Sequence, residues 1–287
     1  MKLSTIKLNG KEESAFYFDS GYIPLSIINQ HFHVQWPLSF ESILKEGLYE
    51  SVLEWYQQHE NELKVMEKVG FDQAISAPLF RSPGKIIGIG MNYENNLGKH
   101  QDYIEPVSFM KPSTSIVGQG AYIIIPSFSK ETTAEAELAI IIKEDCKNVS
   151  VAEAPNKIAG YTTSLDMTEA AIHRENPRYL TRAKGFDTFL SIGPTFLSAS
   201  EINNLEQLEV KTVKNGEEIA KNNVTNMRYS PYFIVSFLSQ SLTLKAGDIL
   251  LTGTPGSVEI NDGDEVSCQI NNFPVLINKV RVESVSL

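Results

Sequence analysis

Hydrophobic and polar positions along this chain follow two textures, and the change between them falls near residue 80. In residues 1–35 short apolar–polar alternations are broken at Asn9-Gly10 and Ser20-Gly21, which reads as short strands joined by turns. Residues 39–69 follow a helical period instead. Ile43, Leu44, Leu48, Val52, Trp55 and Tyr56 recur at helical spacing with no proline between them, so one helix is predicted there. The stretch APLFRSPGK, with Pro78, Pro83 and Gly84, then marks a boundary. The chain divides into a small N-terminal domain of strands plus helix, 1–80, and a larger domain, 81–287.

Beyond the boundary, short apolar runs alternate with turn signals: KIIGIG, AYIIIP, AELAIIIK, IAGYTTSLDM, DTFLSIGPTFL, LEVKTVKNGEE, DILLTGTP and DEVSCQI. Asn215-Gly216 predicts a hairpin, NDGDE at 261–265 predicts another turn, and SPYFIVSFLSQSLTL (230–244) suits one amphipathic helix. There is no internal repeat. The predicted fold class is α+β and mostly β, with a strand-dominated domain of roughly 200 residues.

One run breaks the apolar pattern. In TTAEAELAII (132–141) a strand would send Ala134, Ala136, Leu138 and Ile140 to one face and Glu135 and Glu137 to the other. Two carboxylates on neighbouring rungs repel, and burying either alone costs several kcal/mol, roughly the penalty of a desolvated ion. A solvated edge strand gives the same local pattern. Asp166, which ends the strand-like run IAGYTTSLDM, is by itself an ordinary turn or cap residue. Taken with the two glutamates it completes a set of three oxygen donors suited to a hard divalent cation such as Mg²⁺, Mn²⁺ or Ca²⁺. Three carboxylates against such an ion leave one negative charge, and RAKGFDTF offers Lys184 to offset it, or carries an ordinary solvated surface lysine. The TGTPG loop at 252–256 offers free amides and hydroxyls that can receive an anionic oxygen, or is simply a turn.

Composition narrows the partners. The chain has 287 residues with 25 Lys plus Arg against 35 Asp plus Glu, a formal charge of −10. That balance lacks the basic footprint of nucleic-acid binding. Cys146 and Cys268 have neither disulfide-framework nor zinc spacing. The opening MKLSTIKLNGKEESAF lacks a signal-peptide core, and no apolar run reaches the roughly 18 residues of a membrane helix. A cytoplasmic protein without membrane partners is expected. GIGMNY is not GxGxxG and no βαβ unit follows it, so nucleotide binding is dismissed.

In order, the segments GIGMNY, FMKPSTSIVG, EAELAIII, IAGYTTSLDMT, AKGFDTFLSIGP, KNGEE, NMRYSP, GDILLTGTP and VLINKV resemble the fumarylacetoacetate hydrolase superfamily, from about residue 84 onward. The resemblance implies a twisted β-roll catalytic domain, usually homodimeric, that binds Mg²⁺ or Mn²⁺ and acts on a small anionic 2-oxo acid or 1,3-dicarbonyl acid. It implies Glu135, Glu137 and Asp166 as metal ligands and Lys184 as the lysine facing the substrate. It further implies Tyr93, Gly253 and Thr254 as substrate-binding residues. C–C bond hydrolysis of the acylpyruvase or fumarylacetoacetase type leads. Decarboxylation, double-bond isomerisation and a catalytically weakened binding protein stand as alternatives.

The chain departs from that pattern twice. Where NYxxHxxE is usual in hydrolases and decarboxylases of this superfamily, Asn96 takes the histidine position and Lys99 the glutamate position. An amide cannot serve as a base near neutral pH. After Asp166 the usual arginine of DxxxRD is replaced by Ala170, and His173 stands where a glutamine commonly follows. His100 and His173 are therefore the histidines that can take over acid–base work, with exposed surface histidines as the alternative reading.

Overall fold

The computed structural model describes residues 1–93 and 105–284. An antiparallel meander, β1 (Lys2–Leu8), β2 (Lys11–Phe18) and β3 (Gly21–Pro24), precedes helices α1 (Leu25–Phe32), α2 (Phe40–Lys45) and α3 (Tyr49–Val65). Short strands β4 (Ile75–Ala77), β5 (Ile86–Gly90), β6 (Val107–Lys111), β7 (Ile116–Val117) and β8 (Tyr122–Ile125) lead to the long pair β9 (Thr132–Ile142) and β10 (Ile158–Glu169). Helices α4 (Ala170–Glu175) and α5 (Leu180–Lys184) follow. Then come β11 (Leu190–Ile192), β12 (Thr195–Ser198), β13 (Glu209–Lys214), β14 (Glu217–Asn223) and α6 (Pro231–Ser241). The chain closes with β15 (Ile249–Leu251), β16 (Ser257–Glu259), β17 (Glu265–Ile270) and β18 (Leu276–Val282). The fold is α+β and mostly β.

A large mixed sheet runs β3-β2-β1-β12-β10-β9-β15-β5-β6, and a smaller one runs β14-β13-β17-β18-β8. Through the antiparallel pair β1–β12 the N-terminal meander continues the central sheet. The Asn215-Gly216 hairpin joins β13 to β14. Alternation along β9 works as the pattern requires. Ala134, Ala136, Leu138, Ile140 and Ile142 enter one core with Val210, Val266, Cys268 and residues of α6. On the opposite face Ala139 and Ile141 enter a second core with Phe40, Ile43, Tyr49 and Val52 of α2 and α3. The Tyr49 hydroxyl donates to the Ala159 carbonyl at 2.6 Å, tying α3 to β10.

Three local expectations are corrected. The helix predicted over 39–69 is two helices, α2 and α3. Gly47 adopts φ +71 between them, and the amides of Glu46, Gly47 and Leu48 turn back onto Ser42, Leu44 and Ile43. Residues 25–32, read as part of a strand region, form α1; so short an apolar run has no period that separates helix from strand. Asp166 lies inside β10, three residues before the strand ends at Glu169.

Candidate functional site

Glu135 and Glu137 occupy the same face of β9 as Ala139 and Ile141, toward the other end of the strand. Antiparallel register sets Asp166 of β10 opposite Glu135 and Ser164 opposite Glu137. Carboxylates from two strands therefore converge by pairing alone. One oxygen from each of Glu135, Glu137 and Asp166 lies within 4.8 Å of the others. Oxygens that share one divalent ion at its usual ligand distance sit no more than about 4–5 Å apart, so these three fit such an ion. Glu137 and Asp166 are buried and Glu135 is partly exposed.

Each charge has a local answer. Gly253, at φ +94, turns its amide onto Glu137 Oε2 at 2.7 Å. A Cβ at that position would stand 2.8 Å from Asn92 Cβ, so the turn requires glycine. Burial, reinforced by Asp166, still raises the Glu137 carboxyl well above the ordinary glutamate range. Lys184, expected to offset the residual charge, is buried at the end of α5. Its Nζ donates to Glu135 Oε2 at 2.5 Å and Asp166 Oδ2 at 2.7 Å. Burial opposes its charge, but the three surrounding carboxylates outweigh that and hold it above the ordinary lysine range. Its ammonium also lies 4.7 Å from the centre of the Phe109 ring. Thr168 donates to Glu135 Oε2 at 3.2 Å.

Glu135, Glu137, Thr168 and Lys184 line a cavity of about 260 Å³, with Phe109, Thr133, His173 and Thr254 in its walls. A cavity of about 490 Å³ lies on the other side of α4, among Phe128, Lys130, Arg174 and Arg182, without the carboxylate cluster. The predicted site residues thus separate. Glu135, Glu137, Lys184, His173 and Thr254 share the cavity, and Asp166 stands behind the lining, bonded to Lys184. Gly253 directs its amide to Glu137 and does not line the wall. Tyr93 is buried in the core and is not part of the cavity lining, and its hydroxyl is without a hydrogen-bond partner among the described residues. His100, with Asn96 and Lys99, falls outside the described residues.

Two residues escaped the sequence reading. Asn92 is buried and donates its side-chain amide to the carbonyls of Thr252 (2.7 Å) and Tyr229 (3.0 Å), while its Oδ1 accepts from the Tyr229 amide. It pins the 252–254 turn. Lys111, within FMKP, sits fully buried against Asp166 Oδ1 at 2.6 Å. A lysine closing the short strand VSFMK was the signal, readable only once its acidic partner is placed 55 residues away.

Residues 85–281 match the model of the fumarylacetoacetate (FAA) hydrolase C-terminal family. The mitochondrial oxaloacetate tautomerase Fahd2a of Rattus norvegicus is 34% identical over 214 residues, covering 71% of this chain and 68% of that protein. Among solved structures, the 2-hydroxyhepta-2,4-diene-1,7-dioate isomerase of Mycobacterium marinum superposes with a TM-score of 0.75 at 26% identity, over 99% of both chains. The maleylpyruvate hydrolase of Sphingobium sp. SYK-6, in complex with manganese(II) ion and pyruvate, shares the fold at 22% identity. Its TM-score is 0.82 over 99% of this chain and 100% of that one. With the acidic strand pair, the buried lysine and the TGTP turn falling inside the matched region, this chain belongs to the fumarylacetoacetate hydrolase family.

Proposed function

We propose that this family enzyme is divalent-cation dependent and moves a proton on a small anionic 2-oxo acid, interconverting keto and enol forms. The observation that carries the reading is the convergence of Glu135, Glu137 and Asp166 within 4.8 Å, beside the Lys184 ammonium. Those three residues would hold Mg²⁺ or Mn²⁺. When bound, such an ion supplies Lewis-acid polarisation of the oxo group, which acidifies the neighbouring C–H. Lys184, with the Thr254 turn, binds and orients the substrate carboxylate in the cavity. His173 lines that cavity from α4 and belongs to the residue type that exchanges protons near neutral pH. It takes the proton from the carbon beside the oxo group and returns it.

Proton transfer fits this chain better than C–C hydrolysis. Hydrolysis needs a base for water, and the chain carries Asn96 and Lys99 where the hydrolytic pair is usual. The curated relative named above acts, by its name, as an oxaloacetate tautomerase. Decay of enol-oxaloacetate absorbance tests the reading. Metal-depleted protein is expected to be inactive, Mn²⁺ or Mg²⁺ to restore turnover, and Glu135→Ala to abolish both cation binding and turnover. Full activity of that variant in chelator-treated buffer would overturn the cation site. Faster release of pyruvate from acylpyruvates than enol interconversion would instead establish hydrolysis.

A further inference from the structure

Lys111 is the last residue of β6 and is followed by Pro112, which cannot continue the ladder. Its side chain is fully enclosed. Its Nζ reaches three oxygens: Asp166 Oδ1 at 2.6 Å, the Met167 carbonyl at 3.3 Å and the Lys184 carbonyl. Three acceptors around one nitrogen match the three N–H bonds of an ammonium, whereas a neutral amine has two. Burial draws the group's proton affinity down and Asp166 opposes that.

The two carboxylate oxygens of Asp166 are thereby divided. Oδ1 is held by Lys111 at the end of β6, and Oδ2 is held by Lys184, which lines the cavity. The third contact fixes a different element. Lys184 ends α5, where helix carbonyls lack an intrahelical partner, and the Lys111 ammonium takes the Lys184 carbonyl. One side chain therefore anchors the carboxylate that would face the cation and the backbone from which the substrate-facing lysine extends. We propose that Lys111 is a positioning residue of this site, acting through Asp166 and Lys184 and touching neither cation nor substrate. The inference rests on the cation-site reading above.

Electron paramagnetic resonance of free Mn²⁺ during titration of metal-depleted wild-type protein comes first. Absence of binding there defeats the cation-site reading, and the role of Lys111 falls with it. With Mn²⁺ bound, pyruvate affinity is measured for wild type, Lys111→Met, Lys184→Met and the double variant, with folding checked by circular dichroism. Lys111→Met is expected to weaken pyruvate binding tenfold or more. The double variant is expected to lose much less than the product of the two single losses, because one residue acts through the other. Pyruvate affinity within twofold of wild type, or losses that multiply, would overturn the proposal while leaving the cation site standing. If Lys111→Met does not fold, ¹⁵Nζ spectra of the wild type and Lys184→Met decide. A slowly exchanging lysine ammonium that survives both Lys184→Met and Mg²⁺ addition supports the role, and its absence overturns it.

Discussion

Along one face of β9, alternate side chains meet two different surroundings. Ala139 and Ile141 are sealed under α2 and α3, in a core with Phe40, Tyr49 and Val52. Glu137 and Glu135, one and two rungs earlier on the same face, meet α5 and the end of β6 instead, which bring Lys184 and Lys111. The partner strand repeats the division. Gly160 and Thr162 oppose the apolar half, while Ser164 and Asp166 oppose the acidic half. The strand geometry is the same throughout. What differs is the cover, and each half is tolerable only under its own cover, since an apolar lid cannot repay a desolvated carboxylate.

The largest break in this comparison is to place a carboxylate under the apolar lid. Ile141→Glu is expected to cost about 3–5 kcal/mol, the size of an uncompensated buried charge, or to prevent folding. Urea unfolding reads it, and wild-type stability would show that the N-terminal helices do not seal that half. Smaller effects come from the helix caps, one over each half. The Glu169 carboxylate accepts from the Ile172 amide at the start of α4 and from the amides of Lys130 and Glu131. Glu169→Ala is expected to lose about 1–2 kcal/mol, at the upper end for a cap. Although burial works against it, those donors hold the Glu169 carboxyl below the ordinary glutamate range. A depressed folded-state value means the stabilisation is present above the ordinary range and is lost as pH falls through the folded value. The difference between wild type and Glu169→Ala should therefore shrink on acidification, and a constant difference across that window would contradict the cause. Ser39, capping α2 through the Ser42 amide, is exposed. Ser39→Ala should cost least, about 0.5–1 kcal/mol by thermal unfolding, with no change in Mn²⁺ affinity.

Much of the site was legible because a strand has a strict period of two. TTAEAELAII announced two carboxylates on one face before any coordinates, and the family resemblance supplied Asp166 and Lys184. The segments that failed to read were those where period gives no signal. Eight residues of α1 are too few for a helical pattern to stand out. The break at Gly47 interrupts a run whose apolar spacing continues on both sides, because spacing records which face is buried and not whether the axis is continuous. Asn92 had no local signature, and the strand-end lysine at 111 was a signal that could not be read alone, since the meaning of both lies in acceptors far along the chain.

Sequence by itself determined the mostly β class, the turn at Asn215-Gly216 and which residues of β9 point together, because these depend on neighbours a few positions apart. Tertiary structure decided that residues 1–80 share a sheet with the rest, that Tyr93 is buried in the core and not in the cavity lining, and that the acidic face is met by two lysines. Lys111 and Lys184 reach Asp166 across 55 and 18 residues. Charge compensation acts over a few ångströms of space regardless of separation along the chain, so only the folded arrangement reveals which cation answers which carboxylate.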